Sequence, residues 1–388
     1  DDFVDTWDQI KDLVAMVDMK MEELDKPKMS FFEVLTAMAI WKFADAPVDV
    51  AIVEVGMGGR WDATNVLDAD AAIIGPIDMD HMAWLGNTVE QIASEKVGII
   101  KPGCTAVIGR QPHEEAVMPI IEEAAAENHA NLVRDGIEAE VVTRIPAVGG
   151  QVVTLRTQNG TYAEVPVAKF GEHQAHNALA ALCAAEVVIP VNGALDGDLV
   201  AEALSTVRIP GRIEQIRTSP TIILDGGHNV NAAESLRAAI EENYDFQQLV
   251  GVIAMMGDKQ VEEYLGVLEP LLSHVIVTEN SWRDRVMPAE DLKTVAERVF
   301  GAERVTCVPE LPDAIQEAVN MVDADDELGV GYGHGVLICG SFTTAGDARL
   351  MLEEKVNPDL KKPKSERVFQ EAVEPEPRKD QDEADLDF

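Results

Sequence analysis

The chain has 388 residues, 46% of them hydrophobic, so it is long enough for two domains with buried cores. Its formal net charge of −39 at pH 7 argues against a nucleic-acid ligand, because a phosphate backbone binds basic surfaces. The acidic residues are spread along the chain. This distribution favours a solvated acidic surface over the alternative, a partner that binds acidic side chains.

Four cysteines lie far apart, at positions 104, 183, 307 and 339. No pair has the spacing of a metal or redox motif, and small neighbouring residues indicate buried thiols in a reducing cytosol. No apolar run is long enough to span a bilayer, and no secretory signal pattern is present. We therefore expect a cytoplasmic protein without a membrane partner, and the first residues read like the middle of a longer protein.

The first predicted elements are two helices. Residues 3–24 place large apolar side chains at helical spacing, which predicts an amphipathic helix. Ser30 and Glu33 have the spacing of a capping box and start a second helix that runs to Phe43. Strands and helices then alternate, which predicts a parallel sheet covered on both faces. The predicted strands are residues 48–55, 71–77 and 105–108, and the predicted helices begin near Thr88 and near Glu114.

Residues 131–168 have a different pattern, in which short alternating segments predict a small antiparallel β unit. Its predicted strands are residues 141–144, 152–155 and 162–165, and Gln158-Asn159-Gly160 is a hairpin signal between the last two. An alanine-rich helix is predicted to follow at about residues 174–188.

A segment with proline and glycine at residues 207–212 predicts a domain boundary. We assign residues 1–206 to a first α/β domain and residues 207–355 to a second, Rossmann-like α/β domain. Residues 356–388 are rich in charge and proline, which predicts a disordered acidic tail. In the second domain, the predicted strands are residues 221–224, 249–253, 274–277, 304–308 and 336–339, and the predicted helices are residues 232–241, 261–272, 289–299 and 312–322.

Glu54 ends the first predicted strand, and a glycine-rich run follows it. Its carboxylate is therefore expected at the carboxyl edge of the sheet, where α/β proteins bind ligands. The glycines at positions 56, 58 and 59 allow a sharp turn and a close approach to a ligand. The alternative is a tight turn beside a structural glutamate.

His81 ends the next predicted strand beside Asp78 and Asp80. Carboxylates suit Mg²⁺, and an imidazole nitrogen can join them; a purely structural histidine is the alternative. Lys96 lies on the inner edge of the predicted helix that begins near Thr88. A buried amine becomes nucleophilic only when its pKa is lowered, and a lysine that reaches out to water is the alternative.

With these residues in place, the chain resembles the folylpolyglutamate synthase/dihydrofolate synthase family of the Mur ligase superfamily. The resemblance covers residues 3–352, and its specificity lies in the order and spacing of the motifs. The matching segments are residues 31–39, 54–65, 80–81, 85–88, 95–103, 171–179, 210–212 and 224–229.

The resemblance implies a Mur-ligase-like central ATPase domain with a parallel sheet, followed by a Rossmann-like C-terminal domain. It implies that ATP phosphorylates the carboxyl group of dihydropteroate or of a folate, and that the amine of L-glutamate attacks the acyl phosphate. The partners would then be small molecules only, and the protein a monomer. A Mur-type amide ligase that acts on a peptidoglycan precursor or on cyanophycin is the alternative, although residues 85–100 favour the folate branch.

The resemblance also implies roles for individual residues. Glu54 and His81 would be Mg²⁺ ligands. Lys96 would be carbamylated and would act in catalysis with them. Nucleotide contacts would come from Asn177, at the adenine, and from Arg212, Asp225 and His228. The substrate cleft would include Asp62, Thr64 and Asn65, to which we assign no sharper role.

One departure from the family pattern concerns the phosphate-binding loop. Family members carry a P-loop, and no G-x-x-x-x-G-K-[ST] occurs in the 388 residues. The resemblance places this loop and its strand before Asp1, so we expect an N-terminally truncated sequence. We also expect residues 1–388 alone to be inactive as a ligase. A natural, non-catalytic paralogue without a P-loop is the alternative.

Overall fold

The computed structural model describes residues 2–324 and 333–356. Helices α1 (Asp2–Glu23) and α2 (Phe31–Asp45) come first and contact each other. The predicted capping box is confirmed, because the Ser30 hydroxyl accepts from the backbone N–H of Glu33 while the Glu33 carboxylate accepts from that of Ser30. The apolar face of α1 is only partly covered: Ile10 is buried, whereas Trp7 and Leu13 remain exposed.

The predicted strand at residues 48–55 is wrong. These residues have no strand assignment, and no strand in the described part of the chain pairs with them. A strand is defined by hydrogen bonds to a neighbour, so an apolar run without a partner does not form one. The run is correspondingly open to solvent, and the side chain of Ile52 is 92% exposed.

A three-stranded parallel sheet forms the centre of the first α/β unit. It contains β1 (Ala71–Ile74), β2 (Thr105–Ile108) and β3 (Asn131–Arg134), in the order β1-β2-β3. Strand β1 ends three residues earlier than predicted, because Gly75-Pro76 follows and proline has no N–H for a ladder hydrogen bond. Asp78 and His81 therefore lie in a loop after the strand and do not end it.

Helices cover both faces of this sheet, as the sequence predicts. Ala106 and Ile108 face a core shared with α4 (Val89–Lys96) and α5 (Glu114–Glu127). Val107 points to the opposite core, which it shares with α6 (Glu172–Val188). A short helix, α3 (Met82–Leu85), lies between the loop that holds His81 and α4.

The predicted antiparallel unit is confirmed, but it starts later than expected. It consists of β4 (Glu140–Ala147), β5 (Gly150–Arg156) and β6 (Thr161–Val167), with the predicted hairpin between β5 and β6. Asn131–Arg134, which the sequence analysis placed in this unit, pairs in parallel with β2 instead. Helix α7 (Gly197–Thr206), which the sequence analysis did not identify, packs against β6.

The second unit is a doubly wound α/β fold. Its sheet has the order β11-β10-β9-β12-β8-β7, in which β8 to β12 are parallel and β7 runs antiparallel to β8. The five strands and four helices predicted here are confirmed, whereas β7 and α12 were not predicted. The strands are β7 (Glu214–Thr218), β8 (Thr221–Leu224), β9 (Gln248–Ile253), β10 (His274–Glu279), β11 (Val305–Glu310) and β12 (His334–Cys339). The helices are α8 (Val230–Asn243), α9 (Val261–Leu268), α10 (Ala289–Phe300), α11 (Leu311–Ala324) and α12 (Phe342–Val356).

The α/β class is thus confirmed in both units, while the exact domain limits stay predictions. From residue 357 onward, the segment predicted to be a disordered tail lies outside the described residues. Among the helices that the structure describes, none is long and apolar enough to cross a membrane.

Candidate active site

The glycine-rich run lies against the end of helix α4. The backbone N–H of Arg60 donates to the carbonyl of Glu95 over 2.9 Å. A Cβ atom on Gly59 would lie 2.7 Å from that same carbonyl oxygen and 2.9 Å from the carbonyl oxygen of Lys96. Position 59 therefore has no room for a side chain, and the close approach of the two backbones fixes the run beside Lys96.

Asp62 and Asn65 hold the shape of the loop that follows. One Asp62 oxygen accepts from the backbone N–H and the hydroxyl of Thr64, at 3.0 and 2.6 Å, and the other accepts from the N–H of Met57 at 2.9 Å. The Asn65 amide donates to the carbonyl of Gly98 over 3.1 Å. The contacts of Asp62, Thr64 and Asn65 thus stabilise the loop itself. Direct contact of these residues with a substrate stays a prediction.

Asp80 is the centre of the charged cluster between the two units. It accepts a hydrogen bond from Lys259 Nζ over 2.8 Å and one from Asn229 Nδ2 over 3.2 Å. His228 Nε2 lies 3.6 Å from the same carboxylate, and His81 Nε2 lies 4.0 Å from it. Three of these four partners belong to the second unit, so Asp80 joins the two halves of the cleft.

His81 follows Asp80 in a left-handed backbone conformation, with φ of 51°. Burial lowers the pKa of its imidazole, and the cations Lys259 and Lys96 lower it further, although the charge of Asp80 acts in the opposite direction. The lowered pKa favours the neutral ring, and a neutral imidazole is the form that binds a metal ion.

Lys96 is half-buried at the end of α4. Burial lowers the pKa of its amine, and attraction to Asp80 opposes that shift only in part. A lowered pKa increases the fraction of neutral amine, which is the form that reacts as a nucleophile. Carbamylation of Lys96 stays a prediction.

The two predicted magnesium ligands, Glu54 and His81, do not belong to a larger cluster of donors among the described residues. Glu54 is exposed, and within the described residues no group of three histidine, cysteine, aspartate or glutamate side chains is placed to hold a metal ion. A carboxylate and a neutral imidazole are suitable donor types for Mg²⁺. The assignment of Glu54 and His81 as ligands therefore stays a prediction that rests on donor chemistry.

Asp225 shapes the turn that carries His228. Its side chain is buried, and its oxygens accept from the backbone N–H groups of Ile213 and Gly227, over 3.0 and 2.7 Å. Burial raises the pKa of this carboxyl, whereas the two backbone donors and nearby cations lower it. The hydroxyl of the buried Tyr264 donates to the carbonyl of Gly227 over 3.1 Å. Asp225 therefore stabilises the turn by accepting hydrogen bonds from backbone N–H groups. A contact between Asp225 and a ribose stays a prediction.

An aromatic ring joins two of the predicted nucleotide contacts. The Arg212 guanidinium lies 4.2 Å from the centre of the Phe342 ring, within range of a cation–π interaction. The ring of His228 meets Phe342 edge to face at 6.2 Å. Asn177 is separate from this group; its amide lies 3.4 Å from the side-chain oxygen of Gln174 on the same helix. The structure thus brings Arg212, His228 and Asp225 together and leaves the role of Asn177 a prediction.

Two residues of this site, Lys259 and Phe342, were not predicted from the sequence, and Asn229 was predicted only as part of the motif at residues 224–229. One signal could have identified Lys259: it follows the apolar strand β9 by six residues, at the carboxyl edge where α/β sheets bind ligands. No local signal paired it with Asp80, because 179 positions separate the two residues.

Two family models match the chain. The Mur ligase middle domain matches residues 8–185, and the Mur ligase glutamate ligase domain matches residues 211–342. The two matches correspond to the first and second units of the fold.

Several curated and solved proteins are similar to the chain over most of its length. A Mycobacterium tuberculosis dihydrofolate synthase/folylpolyglutamate synthase is 42% identical over 365 residues, which are 90% of this chain and 74% of that protein. An Escherichia coli protein of the same name is 32% identical and covers 84% of this chain and 70% of its own length.

A solved M. tuberculosis folylpolyglutamate synthase complexed with ADP superimposes with a TM-score of 0.84 at 42% identity. The alignment covers 90% of this chain and 78% of that one. The two domain matches, the level of identity and the shared fold agree with one another. The chain therefore belongs to the dihydrofolate synthase/folylpolyglutamate synthase family of Mur ligases.

Proposed function

We propose that this chain carries the reaction cleft of an ATP-dependent ligase that adds L-glutamate to a folate, to dihydropteroate, or to both. The observation that carries the proposal is the cluster around Asp80, which joins His81 and Lys96 of the first unit to His228 and Lys259 of the second. A two-substrate condensation needs such a cleft, because its reactants must be held together away from water.

The proposed reaction has two steps. An oxygen of the acceptor carboxylate attacks the terminal phosphorus of ATP, the bond to the bridging oxygen breaks, and ADP leaves. The nitrogen of glutamate then attacks the carbonyl carbon of the acyl phosphate, loses a proton, and expels inorganic phosphate as the amide forms. Negative charge accumulates on phosphate oxygens in both steps, so cations at fixed positions lower the barriers.

Two of the cations at the cleft, Lys259 and Arg212, lie on the second unit. Arg212 is fixed by the Phe342 ring, and a guanidinium can donate two parallel hydrogen bonds to a phosphate. We propose that Arg212, Asp225 and His228 form the nucleotide side of the cleft, with Asn177 near the adenine. The support for this assignment is the arrangement of the first three residues around one turn.

Mg²⁺ would offset charge on the phosphates when bound, and Glu54 and His81 are the residues that we propose hold it. We further propose that Lys96 is carbamylated, which would turn a half-buried cation into an acceptor. The lowered pKa of Lys96 supports this, since only a neutral amine adds to CO₂. We also propose that the enzyme is a monomer, that it is cytoplasmic and that its substrates are small molecules.

The test is a panel of acceptors offered to the polypeptide expressed from its complete open reading frame, with ATP, Mg²⁺ and L-glutamate. The panel contains dihydropteroate, tetrahydrofolate and a peptidoglycan-precursor acceptor, and mass spectrometry detects the glutamylated product. We expect product with at least one of the first two acceptors and none with the third. Product only with the third would move the protein to another branch of the Mur ligases and refute the folate assignment.

A further inference from the structure

Asp80 makes the central contact between the two α/β units. Its carboxylate reaches Asn229, which precedes α8, and Lys259, which follows β9, so it binds two separate segments of the second unit. The Lys259 side chain is 9% exposed and that of Asp80 is 26% exposed, so the ion pair is partly shielded from water. An ion pair in this position is screened much less by salt than one on the surface.

Both sides of this contact are held in place before they meet. On the first unit, Asp80 Oδ1 also accepts from the backbone N–H of His81 over 2.8 Å, which ties the carboxylate to its own loop. On the second unit, Asn229 Oδ1 caps α8 by accepting from the N–H of Ala232 over 2.9 Å. The groups therefore lose little conformational freedom when they pair.

A second ionic contact between the units lies elsewhere. Arg144 on β4 forms a paired contact with Glu242 on α8, in which Nη1 lies 2.8 Å from Oε1. Nearby, the rings of Phe170 and Tyr244 lie 5.5 Å apart. Among the described residues, ionic contacts thus join the units at two places, of which the one at Asp80 is beside His81 and Lys96.

We propose that Asp80 is a positioning residue that clamps the two units across the cleft through Lys259 and Asn229. Removal of the Asp80 charge leaves the largely buried Lys259 amine without its ion-pair partner, which is costly. Removal of Lys259 takes away one of the two segments that Asp80 binds, so in both cases the closed arrangement should open more often. The contact between the two units does not require that the protein be a ligase. Its value for catalysis rests on the proposed function, in which the clamp brings Lys259 and His228 next to His81.

The test is amide hydrogen exchange on the ligand-free protein, with each change read on the opposite unit. Asp80→Asn is read at the amide of Ala232, and Lys259→Met is read at the amide of Trp84, which donates to the carbonyl of His81 over 2.9 Å. We expect exchange at each reporter to accelerate about tenfold or more. The double variant should accelerate exchange by less than the two single effects combined, since both changes remove the same ion pair and only Asp80→Asn also alters the contact with Asn229.

Two further variants serve as rescue and control. Lys259→Arg keeps a cation that can reach Asp80, so its exchange should stay near the wild-type rate. Arg298→Met breaks an exposed pair with Glu262, 2.7 Å apart and within the second unit, and should leave both reporters unchanged. Acceleration in Asp80→Asn and Lys259→Met no greater than in Arg298→Met would overturn the clamp, as would strictly additive effects in the double variant. Because no substrate is present, this result is independent of whether the protein is a ligase.

Discussion

Lys96 shows how one side chain gains reactivity from its position. It ends a helix, it is half-buried, and the glycine-rich run lies directly against its backbone. The sequence could place it on the inner edge of a helix, because the neighbouring apolar residues have helical spacing. It could not give the direction of the pKa shift, since that depends on how much water the folded chain removes.

A first prediction is that Lys96 forms a carbamate. In the presence of CO₂ labelled with heavy carbon, we expect a carbamate signal in the carbon NMR spectrum of the protein, because the lowered pKa supplies neutral amine at lower pH than an ordinary lysine does. Lys96→Met should abolish the signal. Lys101→Met is the matched control: this neighbouring half-buried lysine donates to the carbonyl of Asn65 over 2.7 Å, and its loss should leave the signal unchanged. A signal that persists in Lys96→Met would contradict the prediction.

The partners of Asp80 could not be predicted from the sequence around it. From the sequence, His81 was predicted to be the functional residue, and the neighbouring Asp80 only supported that prediction. In the fold, Asp80 has the larger set of partners, because its carboxylate points into the cleft between the units. Contacts between residues 149 or 179 positions apart follow from how the two units meet, which no local pattern encodes.

At the scale of elements, helix α6 carries two histidines with opposite behaviour. His176 Nδ1 lies 2.5 Å from Asp135, and this hydrogen bond raises the pKa of the imidazole although burial acts against it. One turn earlier, burial lowers the pKa of His173 to about 4, with Arg212 and Arg144 adding to the effect. The same helix therefore presents one ring that charges readily and one that stays neutral.

These shifts predict opposite changes in the pH dependence of stability. His176 contributes stability below pH about 6.5 and loses it as the pH rises through its raised folded pKa, so His176→Gln should be most destabilising in acid. The folded state resists protonation of the buried His173 ring, so the free energy of unfolding falls by up to about 3 kcal/mol as the pH falls from about 6.5 to about 4. His173→Gln should therefore remove part of this sensitivity to acid.

Chemical unfolding at a series of pH values measures both effects, and each variant is the control for the other. Relative to the wild type, we expect the free energy of unfolding of His176→Gln to fall in acid and that of His173→Gln to rise there. Curves that run parallel to the wild-type curve for both variants would exclude the proposed titrations.

The elements themselves were predicted with uneven success, for a physical reason. Strands β8 and β12 are short apolar runs with partners on both sides, and the sequence located them closely. Residues 48–55 have a similar apolar composition but no partner strand in the described part of the chain. Local composition gives the tendency to form a strand, whereas pairing decides the outcome. Strand β3 was misplaced for the same reason, since its partner decides whether it belongs to the parallel or the antiparallel sheet.

At the scale of the whole molecule, the acidic chain must bind anionic substrates. With a net charge of −39, the average field repels ATP, glutamate and folate. Cations at the cleft, among them Lys259 and Arg212, can offset this locally, and both lie against fixed partners. We therefore expect affinity for substrates to depend on a few placed charges and on the contact between the two units more than on the overall charge.

A ligase that works through an acyl phosphate transfers an oxygen atom from the acceptor carboxylate to inorganic phosphate, and an oxygen label makes this transfer visible. The acceptor is labelled with heavy oxygen in its carboxyl group and incubated with ATP, Mg²⁺, L-glutamate and the polypeptide expressed from the complete open reading frame. We predict that each amide formed releases one ADP and one inorganic phosphate that carries a heavy oxygen from the carboxylate. Amide formation with unlabelled phosphate would contradict it.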